Sequence, residues 1–335
     1  MRARLALLVT RWGPSWPSFI ALYLLTLAHN PSFDFILVGD TPPASRSGLP
    51  LPLPSNVRFV HIPLDTLRQR LRETTRGVLT NAPSLGKQGL FFGGGGRGQD
   101  AKTNDFKPLF GEAFADVLRN YEWWGYIQED MILGNLSHFV RPALLDNADV
   151  ITPNTGSPRH LRANGAFMVF RNVASVNRLW RMSRDAVKML NTTEYLIFDD
   201  WWGQLDNLAR VLARANSTGR RSVRLHLDAS RPPQHGPLRG RAEDFRGTDW
   251  RWVVDDTPTG WGSVVAQHDS APQQVVCWRR GTLWVNVDVL VDGKEYNCLC
   301  SSTAPACSPE SQVGVYHLYH VKRCASLSRQ RVCVP

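Results

Sequence analysis

Two short apolar runs separated by a helical pattern most strongly constrain how this 335-residue chain folds. The first run is Leu5–Thr10 and the second is Phe33–Asp40. Between them, Trp16–His29 is typical of an apolar helix, and Asn30-Pro31 ends it. Strands that alternate with a helix in this way form a parallel sheet with a right-handed crossover. The sequence therefore predicts an α/β domain that begins with two buried parallel strands.

The same alternation continues and then stops. Asn56–Ile62 predicts a third strand, and Leu64–Arg76 predicts an amphipathic helix because its leucines recur at helical spacing. Residues 77–104 follow, with the glycine run Gly93–Gly98 near their end. A phosphate-binding loop needs a preceding strand and a Gly-Lys-Ser/Thr at the helix start, and neither is present. We interpret residues 77–104 as a flexible Gly-rich insertion, with a phosphate-binding role as the alternative.

Composition excludes some classes of function. The chain is 43% hydrophobic and 20% charged, which excludes disorder as its main state. Its formal net charge of +10 comes mostly from arginine and favours anionic partners such as phosphate-bearing small molecules. The arginines are scattered, however, and no block of like charges or nucleic-acid-binding motif occurs. We therefore predict no nucleic-acid partner.

The cysteines indicate an oxidising compartment. All six lie in the C-terminal part of the chain, at Cys277, Cys298, Cys300, Cys307, Cys324 and Cys333. An even number in one small region favours disulfides, although zinc ligation and free thiols stay open. Glycosylation acceptors begin at Asn135, Asn191 and Asn216. Together these features predict a glycoprotein of the secretory pathway.

The chain offers no convincing signal peptide or transmembrane segment, because the run after Met1 is short and no stretch reaches 18 apolar residues. We expect membrane association, if any, through an N-terminal anchor that is missing from this sequence.

Carboxylates end one of the most apolar strands. Tyr121–Ile127 is an aromatic strand that stops at Gln128-Glu129-Asp130. The carboxyl ends of strands in an open α/β sheet are where ligands bind, and hard oxygen ligands suit Mg²⁺ or Mn²⁺. The sequence thus predicts a metal and diphosphate site here; a solvated turn is the alternative.

The order of several motifs resembles a family of largely uncharacterised proteins related to nucleotide-sugar glycosyltransferases of GT-A fold. These motifs are Asp105-Phe-Lys-Pro108, Trp123-Trp-Gly-Tyr126, the acidic cluster with Gly134, Asp149-Val-Ile151 and Gly165–Asn172. The resemblance covers most of residues 4–210, with a weaker echo near Val315–Arg323. It implies a GT-A-like (Rossmann-like), mainly parallel sheet with flanking helices.

The resemblance also implies a donor site. In such enzymes an Asp-any-Asp motif holds a divalent ion that bridges the donor diphosphate; here the pair falls on Gln128 and Asp130, so the first carboxylate is missing. Asp130 would then be the metal ligand, with Glu129 or Gln128 in support. Asp105 would accept from base or ribose and Lys107 would pair with phosphate, unless they are a helix cap and a surface charge. Asp40 would also meet the nucleotide.

The acceptor side is expected around Gly165 and Ala166, where the family tends to carry a polar residue in place of the alanine. Trp201 and Trp202 would stack on sugar rings, and Asp199 or Asp200 would act as base toward the acceptor hydroxyl if the reaction inverts. The alternative makes the tryptophans core residues and the aspartates a cap for a helix over Gln204–Ala215.

The C-terminal part predicts a small β-rich extension. Trp278–Asp292 alternates as a hairpin, and the resemblance suggests that His320 or His317 completes the metal site, unless either is an ordinary surface residue. We divide the chain into a catalytic domain over residues 1–230 and a Cys-rich part over residues 231–335 that completes the site.

The resulting hypothesis is a hexosyl- or pentosyltransferase. It would move a sugar from a nucleotide-sugar donor to a glycan or other hydroxyl acceptor with Mn²⁺ or Mg²⁺ in the Golgi lumen. The alternative is a catalytically inactive glycan-binding protein of the same fold.

Overall fold

The structure, a computed structural model, describes part of the chain. The described residues are 5–13, 16, 20–44, 50–85, 102–129, 131–140, 142–152, 163, 165–200, 204–217, 225–226, 275–279, 282–286, 312–313 and 315–317. The predicted flexible Gly-rich insertion over residues 77–104 lies mostly outside them, including Gly93–Gly98. At its two described ends the prediction is wrong, because Leu79, Ala82 and Leu85 are buried in the core and Lys102 begins a 3₁₀ helix.

The described residues contain twelve strands. In chain order they are β1 (Leu5–Arg11), β2 (Asp34–Gly39), β3 (Val57–His61), β4 (Trp123–Ile127), β5 (Met131–Leu133), β6 (Val150–Ile151), β7 (Phe167–Arg171), β8 (Leu225–His226), β9 (Val275–Arg279), β10 (Thr282–Asn286), β11 (Gln312–Val313) and β12 (Val315–His317).

The helices among the described residues are mostly short. They are α1 (Ile20–Ala28), α2 (Leu64–Thr74), α3 (Phe110–Ala113), α4 (Ala115–Leu118), α5 (Leu136–Phe139), α6 (Pro142–Asn147), α7 (Ala174–Asn177), α8 (Ala186–Asn191) and α9 (Leu208–Ser217). Three 3₁₀ helices span Pro83–Leu85, Lys102–Leu109 and Leu179–Met182. Of the described helices, none is long and apolar enough to span a membrane.

A seven-stranded sheet organises the chain in the order β3-β2-β1-β4-β7-β6-β8. The first four strands are parallel, β7 is antiparallel to both of its neighbours, and β6 pairs in parallel with β8. Helix α1 packs in one buried cluster, and α2 and α3 pack in the other. This confirms the predicted α/β class with a mainly parallel sheet.

Alternation along the strands divides the core into these two layers. Leu5, Leu7 and Val9 of β1 lie in the cluster with α1, and Ala6 and Leu8 lie in the other. Successive side chains of a strand point to opposite faces, so strands buried on both faces must be apolar throughout. The second cluster contains Trp124, Phe106 and Phe110, and it joins the sheet to the 3₁₀ helix over Lys102–Leu109 and to α3.

The C-terminal strands lie outside the main sheet, apart from β8. Strands β9, β10 and β11 form an antiparallel sheet of their own, and the hairpin of β9 and β10 overlaps the one predicted over Trp278–Asp292. Strand β12 pairs antiparallel with β5, so that His317 lies opposite Met131. The late part of the chain therefore returns to the strand that follows the acidic cluster.

Candidate functional site

The strand order changes direction between β1 and β4. From β1 the chain builds outward through β2 and β3, and then β4 joins on the other side of β1. At such a switch point the connections leave the sheet in opposite directions and open a crevice beyond the carboxyl ends of the strands. The residues at these ends are Arg11 for β1, Asp40 for β2, and Gln128 and Glu129 for β4. We call this end of the sheet, with the side chains that lie against it, the carboxyl edge, and the opposite end the amino edge.

An ion pair joins the two strands at the switch point. Leu8 of β1 lies opposite Tyr126 of β4, and three residues further along both strands Arg11 Nη1 donates to Glu129 Oε1 over 2.9 Å. The two side chains retain 26% and 12% of their exposure. A guanidinium thus lies, still partly open to solvent, at the point where the topology opens a crevice.

The loop after β2 is fixed to the loop after β1. Asp40 Oδ1 accepts from the backbone N–H of Gly13 over 3.1 Å, and Trp16 Nε1 donates to the carbonyl of Thr41 over 2.8 Å. Asp40 is half-buried. The predicted donor-side residue therefore lies at the carboxyl edge and shapes the backbone there.

The predicted acceptor side meets the same edge. Strand β7 runs antiparallel to β4, so its first residue, Phe167, pairs with the last residue of β4, Ile127. Just beyond this pair the N–H of Gln128 donates to the carbonyl of Ala166 over 3.0 Å. Gly165 and Ala166 therefore lie beside Gln128 and Glu129, and Ala166 is buried.

Gly165 has no room for a side chain. A Cβ at this position would lie 2.7 Å from Asp199 Oδ2 and 3.3 Å from Asp200 Oδ2. Both distances are below ordinary van der Waals contact, so the glycine allows the two predicted aspartates to lie against the backbone at the start of β7. Asp199 and Asp200 are buried.

Lys107 holds this arrangement together. Its Nζ donates to the carbonyl of Gly165 and lies 3.2 Å from Asp199 Oδ2, and the pair is 4% and 0% exposed. Tyr195 donates to the other oxygen, Asp199 Oδ1, over 2.8 Å. Burial raises the pKa of Asp199, and Lys107 and Tyr195 offset only part of that rise. Burial, with Asp199 nearby, also raises the pKa of Tyr195 and that of Tyr126.

Asp105 lies deeper and is surrounded by protein donors. Its Oδ2 accepts from Lys102 Nζ over 2.8 Å and from the N–H of Leu196 over 2.9 Å, and its Oδ1 accepts from the N–H of Phe198 over 2.8 Å. Burial raises the pKa of Asp105 and lowers that of Lys102. Neither of the predicted donor ligands Asp105 and Lys107 reaches solvent here: both bind the protein itself.

Several predicted site residues lie outside the described part of the chain, namely Asp130, Trp201, Trp202 and His320. His317 lies within β12, and its backbone pairs with Met131, the residue after Asp130. Among the residues that the structure describes, no three His, Cys, Asp or Glu side chains form a group that could hold a metal ion.

Three residues of this region were not predicted from the sequence. Arg11 could have been, since it is the polar residue that ends the first buried strand, as Asp40 and Glu129 follow theirs. Lys102 and Tyr195 carry none, because only the fold brings them to Asp105 and Asp199.

Comparison with known proteins gives a partial match to one family model and no function. Residues 99–221, less than half of the chain, match a family of unknown function (DUF6625). This range contains Lys102, Lys107, Gly165 and Asp199. Comparison with curated proteins gives no match.

Some solved structures share a weak likeness. Mouse xyloside xylosyltransferase 1 in its apo form has 11% identity and a TM-score of 0.33, over 66% of this chain and 83% of that one. Galactosyltransferase LgtC with donor and acceptor sugar analogues has 11% identity and a TM-score of 0.31, over 55% and 64%. An active-site mutant of LgtC has 11% identity and a TM-score of 0.32, over 60% and 68%. Such scores carry no argument about activity, so the chemistry must be argued from the residues.

Proposed function

We propose that this protein is a glycosyltransferase, a hexosyl- or pentosyltransferase of GT-A-like fold that moves a sugar from a nucleotide sugar to a hydroxyl acceptor. The observation that carries the proposal is the partly exposed Arg11–Glu129 pair at the switch point between β1 and β4. Ligands of open α/β sheets bind at that position. The sequence resemblance to nucleotide-sugar enzymes adds the class of ligand.

The donor would lie across the ends of β1, β2 and β4. The planar guanidinium of Arg11 suits phosphate oxygens, so it would contact the diphosphate. Asp40, at the end of β2, would lie near the nucleoside. The positive net charge of +10 would draw the anionic donor toward the protein.

A hard divalent ion would bind at the segment that follows β4. Gln128, Glu129 and Asp130 supply oxygen ligands, and His317 or His320 supplies an imidazole, a combination that suits Mn²⁺ or Mg²⁺. The pairing of His317 with Met131 brings the C-terminal strand to this cluster. A bound ion would neutralise charge on the departing nucleoside diphosphate. Arg11 would orient Glu129 through the 2.9 Å ion pair.

The acceptor would bind beside Gly165 and Ala166, with Trp201 and Trp202 as stacking surfaces. Asp200 would take the proton from the acceptor hydroxyl in an inverting reaction. Asp199 is fully buried and already accepts at both carboxylate oxygens, so its role would be to position Asp200. Lys107 and Tyr195 hold the Asp199 carboxylate in one orientation.

We further propose that the protein works in the secretory pathway, in the Golgi lumen, with disulfides in its C-terminal part. Asn135 and Asn191, which begin two of the glycosylation acceptors, are exposed, as an acceptor must be. A decrease in mass after peptide glycosidase treatment of protein secreted from animal cells would test this; an unchanged mass would contradict it.

Thermal-shift measurements with UDP, GDP and CMP, each with and without Mn²⁺, test the proposed function. A nucleotide at 100 times its dissociation constant should stabilise the wild type by about 2.7 kcal/mol. The stabilisation should need Mn²⁺ and disappear in Asp130→Ala, and it should weaken in Arg11→Met. Arg58→Met is the matched control, because Arg58 is exposed at the other end of the strands.

Two results would contradict the proposal. The first is folded wild type that no nucleotide stabilises; binding of free glycans by such protein would favour the inactive glycan-binding alternative. The second is stabilisation that Arg58→Met removes and Arg11→Met does not.

A further inference from the structure

The segment that carries the candidate base contains a backbone outlier. Ile197 has a φ of 68°, in the left-handed region. A β-branched residue is rare there, because its Cβ crowds the following carbonyl oxygen. Such a conformation persists only where surrounding contacts fix it, and it is found most often at functional sites.

The Asp105 carboxylate spans the outlier. The residues on either side of Ile197 both donate to it: the N–H of Leu196 to Oδ2 over 2.9 Å, and the N–H of Phe198 to Oδ1 over 2.8 Å. Two N–H groups that flank a left-handed residue form a concave anion site, and here the anion is a side chain of the same protein. The carboxylate therefore stabilises the conformation that Ile197 disfavours.

Lys102 completes the arrangement from the same 3₁₀ helix. Its Nζ lies 2.8 Å from Asp105 Oδ2 and also donates to the carbonyls of Met189 and Glu194. Both charged side chains are fully buried. Lys102 thus neutralises Asp105 and fixes the start of the segment, while Asp105 fixes its middle.

The end of the segment carries the chemistry. Tyr195, Asp199 and Asp200 lie within three residues of Ile197, and Asp199 lies against Lys107 and Gly165. We propose that Asp105, neutralised by Lys102, is a positioning residue that sets the backbone of residues 194–200 and hence the place of Asp199 and Asp200. This rests on the proposed function for its catalytic consequence, and it assigns Asp105 a role other than binding the donor.

Burial distinguishes a positioning role for Asp105 from a donor-binding role. A residue that accepts from base or ribose must present a carboxylate oxygen to the crevice. Asp105 is 0% exposed, and each of its oxygens already accepts from a backbone N–H. Loss of Asp105 should therefore change the geometry of the segment and leave donor affinity alone.

Amide hydrogen exchange of residues 194–200 tests, without any ligand, whether Asp105 fixes the backbone of this segment. In Asp105→Asn the new amide group can accept from only one of the two N–H groups. We expect exchange of the segment at least tenfold faster than in the wild type. Asp34→Asn is the matched control, because Asp34 is a carboxylate at the amino end of β2 that accepts from Tyr121. It should leave the exchange rate of residues 194–200 within twofold of the wild type. Unchanged exchange in Asp105→Asn would overturn the proposal.

Ile197→Gly is a second variant, for the case in which Asp105→Asn does not fold. Glycine adopts the left-handed conformation without strain and leaves both acceptors of Asp105 in place. We expect exchange at Leu196 and Phe198 to stay within threefold of the wild type. A tenfold increase would show that the Ile197 side chain, and not Asp105, holds the segment, and would overturn the proposal.

The catalytic consequence is tested by measuring nucleotide affinity and turnover separately. With the nucleotide that stabilises the wild type and Mn²⁺, Asp105→Asn should bind within twofold of the wild-type Kd. Hydrolysis or transfer from the corresponding nucleotide sugar should fall at least tenfold. A Kd raised tenfold with unchanged exchange would make Asp105 a donor ligand and overturn the proposal. Wild type that binds no nucleotide would refute the proposed function alone, since the exchange result stands without it.

Discussion

The two edges of the parallel strands carry similar residues in different arrangements. At the amino edge, a cavity of about 340 Å³ is lined by charged and polar side chains: Asp34, Arg58, Asp116, Arg119, Asn120 and Tyr121, together with Val117. Their contacts connect neighbouring elements, since Tyr121 donates to Asp34 and Arg70 of α2 binds both oxygens of Asp116 in α4. At the carboxyl edge the contacts connect the strand ends themselves.

Burial also differs between the edges. Asp116 is 61% exposed in its pair with Arg70, whereas Lys107 and Asp199 are 4% and 0% exposed. An exposed pair is screened by water and contributes little, while a buried pair that loses one partner leaves an uncompensated charge. Charged residues alone therefore do not identify a site. What distinguishes the carboxyl edge is the switch in strand order together with buried charges that hold its backbone.

The largest contrast should come from removing one cation at each edge. Lys107→Met leaves the Asp199 charge buried without its partner and should lower the free energy of unfolding by about 3–5 kcal/mol. Arg70→Met removes a pair whose carboxylate is exposed and should lower it by about 0.2–1 kcal/mol. Urea denaturation of both variants measures the difference. Equal losses would contradict the distinction between the edges.

A smaller loss should follow from Gly165→Ala. The new Cβ would meet Asp199 Oδ2 at 2.7 Å, and Asp199 cannot move away without leaving Lys107 and Tyr195. Crowding of this kind costs about 1–3 kcal/mol in a packed interior. The same denaturation measurement applies. Wild-type stability in this variant would mean that Asp199 does not pack against the start of β7.

The pH dependence of stability should have opposite signs at the two edges. Burial raises the pKa of Asp199 above 3.8, so the folded state binds its proton more tightly, and this residue makes stability fall as pH rises from 3.8 through the folded pKa. Asparagine cannot titrate. The difference in unfolding free energy between wild type and Asp199→Asn should therefore be larger at low pH than at neutral pH.

Asp116 provides the opposite case. The hydrogen bond from Arg70 lowers its pKa, so its contribution is present above 3.8 and disappears as pH falls through the folded pKa. Wild type and Asp116→Asn should thus converge in stability as the solution becomes more acidic. Urea denaturation at several pH values measures both differences, and slopes of the same sign would refute the contrast.

A small effect on stability should also come from Arg11→Met, because the Arg11–Glu129 pair keeps part of its exposure. We expect a loss of about 0.2–1 kcal/mol, similar to that of Arg70→Met. The two variants should differ in ligand binding instead, since only Arg11 lies at the switch point. A loss of several kcal/mol in Arg11→Met would make this pair a structural element.

The sequence predicted the parts of the fold that depend on local pattern. The apolar runs at Leu5–Thr10 and Phe33–Asp40 correspond to β1 and β2 within one residue, and the strand before Gln128 is β4. Local pattern is not enough where packing decides: apolar residues recur at helical spacing after Asp105, yet the segment forms a 3₁₀ helix with Pro108 inside it and two short α-helices. Proline removes a backbone donor and disfavours the α conformation before it.

The sequence identified most of the carboxyl edge but not its internal contacts. The strand ends pointed to Asp40, Gln128 and Glu129, the motif order pointed to Gly165, and the acidic and aromatic residues before Trp202 pointed to Asp199. It could not show that Lys107 and Asp105 point into the protein, because that depends on contacts across more than 90 residues of chain. Whether a charged residue binds ligand or backbone is decided by burial, which local sequence does not encode.

The most direct measurement is hydrogen exchange of the whole protein with and without UDP, GDP or CMP in the presence of Mn²⁺. We expect one nucleotide to slow exchange at the carboxyl edge, in the peptides that contain Arg11–Gly13, Asp40-Thr41 and Gln128-Glu129. Peptides that contain Asp116–Tyr121 at the amino edge should not change. Protection confined to the amino edge, or no protection with any nucleotide, would contradict a donor site at the switch between β1 and β4.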